Sequence, residues 1–253
     1  MGLLLFGDCL EHLESIEENS VDLIFCDLPY GQTSCKWDSL IDLDKLWLEM
    51  MRVKKLNTPI IMTTTTKFGV SLINSAPKKC PFRYDLVWCK SAPCGFLSAK
   101  KMPMRKHEMI YVFYEKLPFY DLSSHKHKFI KEEEHNKKYT YEQDKDKDLY
   151  GTDIRKEMRT GKDVGKSPIY EPPLPNSLLE VKSTRGKHST EKPVDLMKWI
   201  LKYYSKEGDV ILDPTMGSGS MGVACEEMKR NFIGIEKDEE IFNIAWERIN
   251  IEN

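Results

Sequence analysis

The chain has 253 residues and a mass of 29.5 kDa, with 40% hydrophobic, 31% charged and 10% aromatic residues and a net charge of −2. That length suits one large or two small domains and is ample for a sizeable core. No apolar run approaches the roughly 18 residues of a transmembrane helix, and MGLLLFGDCL has no basic n-region, so a membrane-spanning, secreted, collagenous or wholly disordered chain is not expected.

Seven short apolar or β-rich runs stand out in chain order: Leu3–Phe6, Asp22–Cys26, Pro59–Thr63, Tyr84–Cys89, Met109–Tyr114, Val210–Leu212 and Phe232–Ile235. Helical patterns lie between several of them. Cys9–Glu18 places Leu10, Leu13 and Ile16 on one face, and Leu43–Val53 brings Leu43, Leu46, Trp47, Met50 and Met51 together. Val194–Tyr204 repeats the pattern behind Thr190 and Pro193 as start signals, and a last helix follows Asp238. Strands alternating with helices imply an α/β fold, with a mostly parallel sheet covered on both faces.

The stretch from Leu117 to Lys187 breaks this rhythm. Twelve bases and eleven acids between Asp121 and Lys166 nearly cancel, and Gly- and Pro-containing segments follow, as in an inserted recognition or lid region. Charge is uneven elsewhere. Eight bases against one acid lie between Lys78 and Lys106, whereas eleven acids against four bases follow from Glu207. The basic region is suited to face a polyanion. Seven cysteines without a CxxC pair read as reduced thiols in the cytoplasm. Cys80, Cys89 and Cys94 match no common zinc spacing, and no metal site is expected.

Two motifs carry chemistry. In Val210-Ile-Leu-Asp-Pro-Thr-Met-Gly-Ser-Gly-Ser-Met-Gly222 a buried strand ends at Asp213, and a Gly-rich turn leads into a helix near Met221. Gly217, Gly219 and Gly222 satisfy GxGxxG, and Glu236 closes a second strand nineteen residues beyond the first glycine, where an acid can accept both ribose hydroxyls. This reads as a nucleoside-cofactor site. The second motif, Ile24-Phe-Cys-Asp-Leu-Pro-Tyr-Gly31, sets an acid, a proline-held turn and an aromatic at a strand's C-terminal end. Asp27 and the carbonyl of Leu28 can accept hydrogen bonds from an amino group, Pro29 holds the turn, and Tyr30 offers a flat face to a planar base.

DLPY resembles the D-P-P-Y signature of amino-directed DNA methyltransferases, and DPTMGSGS resembles their D-P-F-x-G-S-G-T cofactor motif. His188-Ser-Thr-Glu-Lys-Pro193 is similar to their H-P-T-Q-K-P motif, and the motif order is that of the β-class. The resemblance implies a seven-stranded, Rossmann-like methyltransferase sheet, circularly permuted so that the chain starts on the third strand. It divides the chain into a catalytic part (1–116), an inserted target-recognition region (117–187) and a cofactor-binding part (188–253). S-adenosyl-L-methionine would bind across Asp213, Pro214, Gly217, Ser218, Gly219 and Glu236, with Asp8 near its adenine and Lys192 near its methionine end. Leu28 for the first proline, Thr215 for an aromatic, and Ser189 and Glu191 for Pro and Gln are departures that remove no group the chemistry needs.

The implied reaction is methyl transfer to the N6 of a flipped adenine in double-stranded DNA, since cytosine-N4 members usually carry Ser where Asp27 stands. Lys100, Lys101, Arg105 and Lys106 would line the phosphate track, and Trp37 with the Gly31–Asp38 loop would close over the base. A homodimer and a cognate restriction endonuclease are expected by resemblance only, in a bacterial or phage-encoded, DNA-associated protein. The competing readings are a cytosine-N4 enzyme, an RNA or protein methyltransferase, an NAD-type oxidoreductase resting on the literal GxGxxG, and a silent nucleic-acid-binding subunit. The oxidoreductase leaves DLPY and HSTEKP unexplained. Intact Asp27, Tyr30, Gly217, Gly219 and Glu236 count against the silent subunit.

Overall fold

The computed structural model describes residues 2–31, 40–128, 169–183 and 191–250; Trp37, His188 to Thr190 and residues 129–168 of the insertion lie outside the described residues. The chain divides into two compact units, residues 1–121 with 176–253, and residues 122–175. The strands are β1 (Gly2–Phe6), β2 (Leu23–Cys26), β3 (Ile60–Thr64), β4 (Phe82–Cys94), β5 (Arg105–Phe113), β6 (Lys126–Lys128), β7 (Ile169–Glu171), β8 (Leu178–Leu179), β9 (Val210–Asp213) and β10 (Asn231–Glu236). The helices are α1 (Cys9–Leu13), α2 (Leu43–Val53), α3 (Thr66–Ser75), α4 (Val194–Tyr204), α5 (Ser220–Glu227) and α6 (Glu239–Asn250). In the smaller unit β6 and β7 pair antiparallel, and His125 Nδ1 lies 2.9 Å from the carbonyl oxygen of Pro172.

The larger unit is built on one sheet of order β1-β10-β9-β2-β3-β5-β4-β8. Neighbours from β1 to β3 are parallel, and β5 runs antiparallel to both β3 and β4. Counted outward from β9, which carries the glycine motif, β10 is second and β1 third, so the chain does start on the third strand. All seven expected strands form. The sheet has eight strands rather than seven because Leu178 and Leu179 pair with the outer edge of β4, where Leu179 is buried.

Strand periodicity of two distributes the core over both faces. In β2, Leu23 and Phe25 join one cluster with Leu196, Ile200 and Met221 of α4 and α5. Ile24 and Cys26 join the other with Leu13, Leu46 and Met50 of α1 and α2. Asp42 caps α2 by accepting from the backbone N–H groups of Asp44 and Lys45 at 3.1 and 3.2 Å, and Leu46, Trp47, Met50 and Val53 form its buried stripe. Arg230 takes up the carbonyl of Ser205 (2.9 Å) at the end of α4.

Two helices depart from expectation. α1 stops at Leu13 instead of running to Glu18, because Arg52 claims the carbonyl oxygens of Leu13 (2.6 Å) and Ile16 (2.8 Å) and the chain turns at Asn19 with φ 53°. Ile16 is still buried. α3 corresponds to none of the helical patterns in the sequence. Thr65 starts it by accepting from Phe68 N at 3.2 Å, and Gly69 within it packs flat on Tyr111, where a Cβ would lie 2.4 Å from the ring.

The connections place the site. From β9 the chain steps through β10 toward β1, and from β2 it steps the other way to β3, so strand order reverses between β9 and β2. A crevice opens outside the carboxyl ends of parallel strands at such a point, and here those ends are Asp213 and Cys26, one residue before Asp27.

Candidate active site

A cavity of about 760 Å³ occupies this crevice. It is lined by Asp8, Asp27, Leu28, Pro29, Tyr30, Arg105, Lys192, Asp213, Pro214, Gly217, Ser218 and Glu236, so the structure brings together residues from three distant stretches of sequence. Gly219 does not line it; it precedes α5 as its N-cap residue, at φ 82°, a conformation closed to most side chains. Lys100, Lys101 and Lys106 are exposed on the β4–β5 hairpin and do not line the cavity. Trp37 falls outside the described residues.

At one end Asp27 sits in a web of donors. Its Oδ1 accepts from the Thr63 hydroxyl and from Tyr30 Oη at 3.2 Å, and its Oδ2 pairs with Lys192 Nζ at 2.6 Å. Lys192 also reaches Glu108 Oε1 at 3.2 Å, and Lys90 pairs with Glu108 Oε2 at 2.7 Å. Tyr30 Oη lies 3.0 Å from Glu108 Oε1, while its ring centroid is 5.5 Å from that of Phe68. The tyrosine is therefore held at both ends.

Two acids and two lysines make this cluster neutral, and charge compensation decides its protonation. Burial alone favours a neutral Glu108, but Lys192 and Lys90 outweigh it and hold the carboxyl below the usual range. Burial likewise disfavours charge on Lys192, and Asp27 and Glu108 more than restore it. Burial, with Asp27 and Glu108 nearby, pushes the Tyr30 phenol well up, so it stays a neutral donor.

The other end is built by the glycine turn. Gly217 N donates to Glu236 Oε2 at 3.0 Å and Asp238 N to Glu236 Oε1 at 2.8 Å, so the acid at the end of β10 braces the turn after β9. Arg248 of α6 donates to Ser218 O (2.7 Å) and Oγ (2.8 Å) and pairs with Glu191 at 2.9 Å. Asp8 caps α1 through Leu10 N at 3.0 Å, and the Lys237 ammonium at 2.9 Å holds its carboxyl below the usual range. Burial pushes Asp213 well above the carboxylate range, only partly offset by the hydrogen bond from Thr215 N at 3.1 Å; burial also raises Glu236.

These residues fit S-adenosylmethionine. Among the described residues the buried side-chain oxygens without a partner are Thr215 Oγ1 and Ser220 Oγ, and both line this cavity. A buried hydroxyl left unpaired is costly unless a ligand completes it. A cationic guest would relieve the burial cost of charge on Asp213 and Glu236, and the open space where a Cβ on Gly217 would stand permits close approach to the main chain. Among the described residues no group of three His, Cys, Asp or Glu side chains is gathered to hold a metal ion.

Glu108, Lys90, Thr63 and Arg248 escape sequence reasoning, because they belong to no local motif and reach the site only through strand pairing and helix docking. Lys192, expected near the cofactor's methionine end, lines the cavity and has Asp27 and Glu108 as partners.

The family profile described as DNA methylase matches residues 21–247. The Type II methyltransferase M2.DpnII of Streptococcus pneumoniae is 24% identical over 274 residues, covering 99% of this chain and 90% of that protein. M.HinfI of Haemophilus influenzae is 26% identical over 276 residues, covering 98% of this chain and 68% of its own. Among solved structures, the M1.HpyAVI–SAM complex aligns with a TM-score of 0.61 at 19% identity, over 99% of this chain and 100% of that one. The cytosine-N4-specific PvuII DNA methyltransferase aligns with a TM-score of 0.63 at 15% identity, over 98% and 86%. At such identities the structural likeness is one of fold. With the profile spanning most of the chain and both of its motifs lining one cavity, the chain belongs to the N6/N4 DNA methylase family and is an S-adenosylmethionine-dependent DNA methyltransferase.

Proposed function

We propose that the chain methylates the exocyclic N6 of adenine in duplex DNA, at a site read by the inserted region 117–187. The observation that carries this reading is the Asp27 carboxylate, fixed by Thr63, Tyr30 and Lys192 in the same cavity as the glycine turn. An aspartate rather than a serine in this position favours adenine over cytosine, by the family resemblance. Naming of the relatives as Type II methyltransferases supports a cognate restriction endonuclease as partner, and with it a cytoplasmic, DNA-associated protein. A homodimer is part of the same proposal.

The cofactor, when bound, supplies a methyl group on a sulfonium centre. The chain's residues do the rest. The target adenine leaves the stack at a cost of a few kcal/mol, and stacking on the clamped ring of Tyr30 recovers part of it. Its amino lone pair is delocalised into the ring and is a weak nucleophile. Asp27 and the Leu28 carbonyl accept the two amino hydrogens, which favours a pyramidal nitrogen with its lone pair directed at the methyl. Asp27 then takes the proton that the methylated nitrogen loses. Lys192 holds Asp27 in place through their 2.6 Å pair, while Glu108 shares the same lysine at 3.2 Å. Rate enhancement arises from positioning and preorganised charge.

The test is methyl transfer from labelled S-adenosylmethionine to unmethylated duplex DNA, followed by nucleoside chromatography. Label in N6-methyladenine is expected. Label in N4-methylcytosine overturns the target atom, and no label in DNA overturns the proposal.

A further inference from the structure

The β4–β5 hairpin carries a feature that the chemistry above does not use. Ala92, Pro93 and Cys94 on its outgoing strand and Arg105 on its return line the cavity, and Cys94 pairs with Arg105. The turn between them springs directly from the cavity's rim. Gly95, at φ 91°, leads into a single 3-10 turn at Phe96–Ser98, closed by hydrogen bonds from Ser98 N to Gly95 O (3.0 Å), Ala99 N to Phe96 O (3.0 Å) and Lys101 N to Ser98 O (2.9 Å). It is an ordered knob.

On this knob Phe96 is 81% and Leu97 99% exposed, the two highest values among the large apolar side chains described. Such side chains are held out of the core at a loss to the free protein, so their position calls for a partner. The surroundings specify which. Lys100, Lys101, Arg105 and Lys106 follow the knob along the return side of the hairpin, and no acid occurs between Asp85 and Glu108. An apolar tip with cations beside it complements a polyanion with an apolar interior, which describes duplex DNA: phosphates outside, stacked bases within.

We propose that Phe96 and Leu97 form a wedge that enters the base stack beside the target and fills the gap left as the target base swings into the cavity, while the flanking cations seat on phosphates. The proposal rests on the DNA-methylation reading and adds to it the element that opens the duplex. Apolar side chains inserted between base steps partially unstack them, and the wedge offsets the cost of holding the base out.

The test compares wild type with the Phe96→Ser/Leu97→Ser variant in single-turnover methyl transfer. Two duplexes are used, alike except that the target base is correctly paired in one and mispaired in the other. The expected result is a loss of about tenfold or more on the paired duplex and recovery to within about threefold of wild type on the mispaired one, since a mispaired base is already partly released. Equal activity of variant and wild type on the paired duplex overturns the wedge. Equal losses on both duplexes also overturn it, assigning the knob to general affinity or to folding. A change of oligomeric state in the variant, read by sedimentation, overturns it in favour of a contact between copies. Absence of transfer by wild type to either duplex is a separate failure: it overturns the DNA reading itself.

Discussion

Replacing Lys192 by Met isolates the charge balance of the catalytic cluster. The substitution preserves most of the apolar stem but leaves Asp27, Glu108 and Lys90 with one excess negative charge. Removing one partner of a buried pair costs about 3–5 kcal/mol. The lower end applies, because Glu108 keeps Lys90 at 2.7 Å and Asp27 keeps Thr63 and has a side chain 25% exposed. At about 2–4 °C per kcal/mol for a chain of this size, melting should fall by roughly 6–12 °C near pH 8. The pH dependence has a definite sign. Lys192 has a raised value in the folded state, so its contribution is complete below the unfolded lysine range and is lost only as pH climbs through that raised value. In the variant the surplus charge makes a carboxyl easier to protonate, so the gap to wild type should narrow as pH falls from 8 toward 5. Calorimetric melting across that range measures this, with cofactor affinity measured by titration calorimetry alongside. A loss of less than about 2 °C at pH 8, or a gap that widens toward pH 5, refutes the pairing as the source of stability. If cofactor affinity collapses while transfer at saturating cofactor survives, Lys192 serves the cofactor and not Asp27.

Three further outcomes follow from the same geometry. Asp27→Ala should lower methyl transfer by about 10³-fold or more while cofactor affinity, by calorimetry, changes by less than about threefold; normal turnover would remove Asp27 from the chemistry. Burial holds Asp213 well above the carboxylate range in the folded state, so a penalty accrues as pH rises from the unfolded carboxylate range through that raised value. Asp213→Asn should therefore raise the melting temperature of the ligand-free protein at pH 8 by about 2–4 °C, roughly 1 kcal/mol, with a smaller gain at low pH and weaker cofactor binding; an unchanged melting temperature at pH 8 would contradict it. A Cβ on Gly222 would stand 2.4 Å from Ile249 and 2.8 Å from Phe232. Gly222→Ala should thus cost about 1–3 kcal/mol in denaturant unfolding despite alanine's better helix propensity, and a neutral or stabilising result would show that α5 and α6 shift freely.

Much of this was legible in the sequence because it is local. Each of the seven strands announced itself by a short apolar run, and the helices at Leu43–Val53 and Val194–Tyr204 by their stripes, because a face buried in one layer leaves its period in the residues. α3 hid because Thr66–Ser75 has a glycine in its middle and splits its apolar residues, with Phe68 and Leu72 buried but Val70 and Ile73 exposed; its place is set by the fit of Gly69 against Tyr111. The end of α1 was set by Arg52 from another helix. The site divides in the same way. The acid at the end of a strand and the glycines after it are contiguous signals, whereas Lys192 and Asp27 meet across 165 positions and Tyr30 and Glu108 across 78. Nothing near either member of those pairs names the other.

The interleaved strand order has a consequence for synthesis. β1 has β10 as its sheet neighbour, and β2 lies against β9, with Val210 N donating to Asp22 Oδ2 across 188 positions. At about 5–20 residues per second, the ribosome leaves Leu23 and Phe25 without that cover for roughly 10–40 s. A nascent chain that stops short of β9 carries Asp27 and Lys192 but lacks the glycine turn and Glu236. Such a fragment exposes the β2 edge that β9 covers and has no floor for the cofactor, so methyl transfer and a closed sheet arrive together, only when the last strands are made.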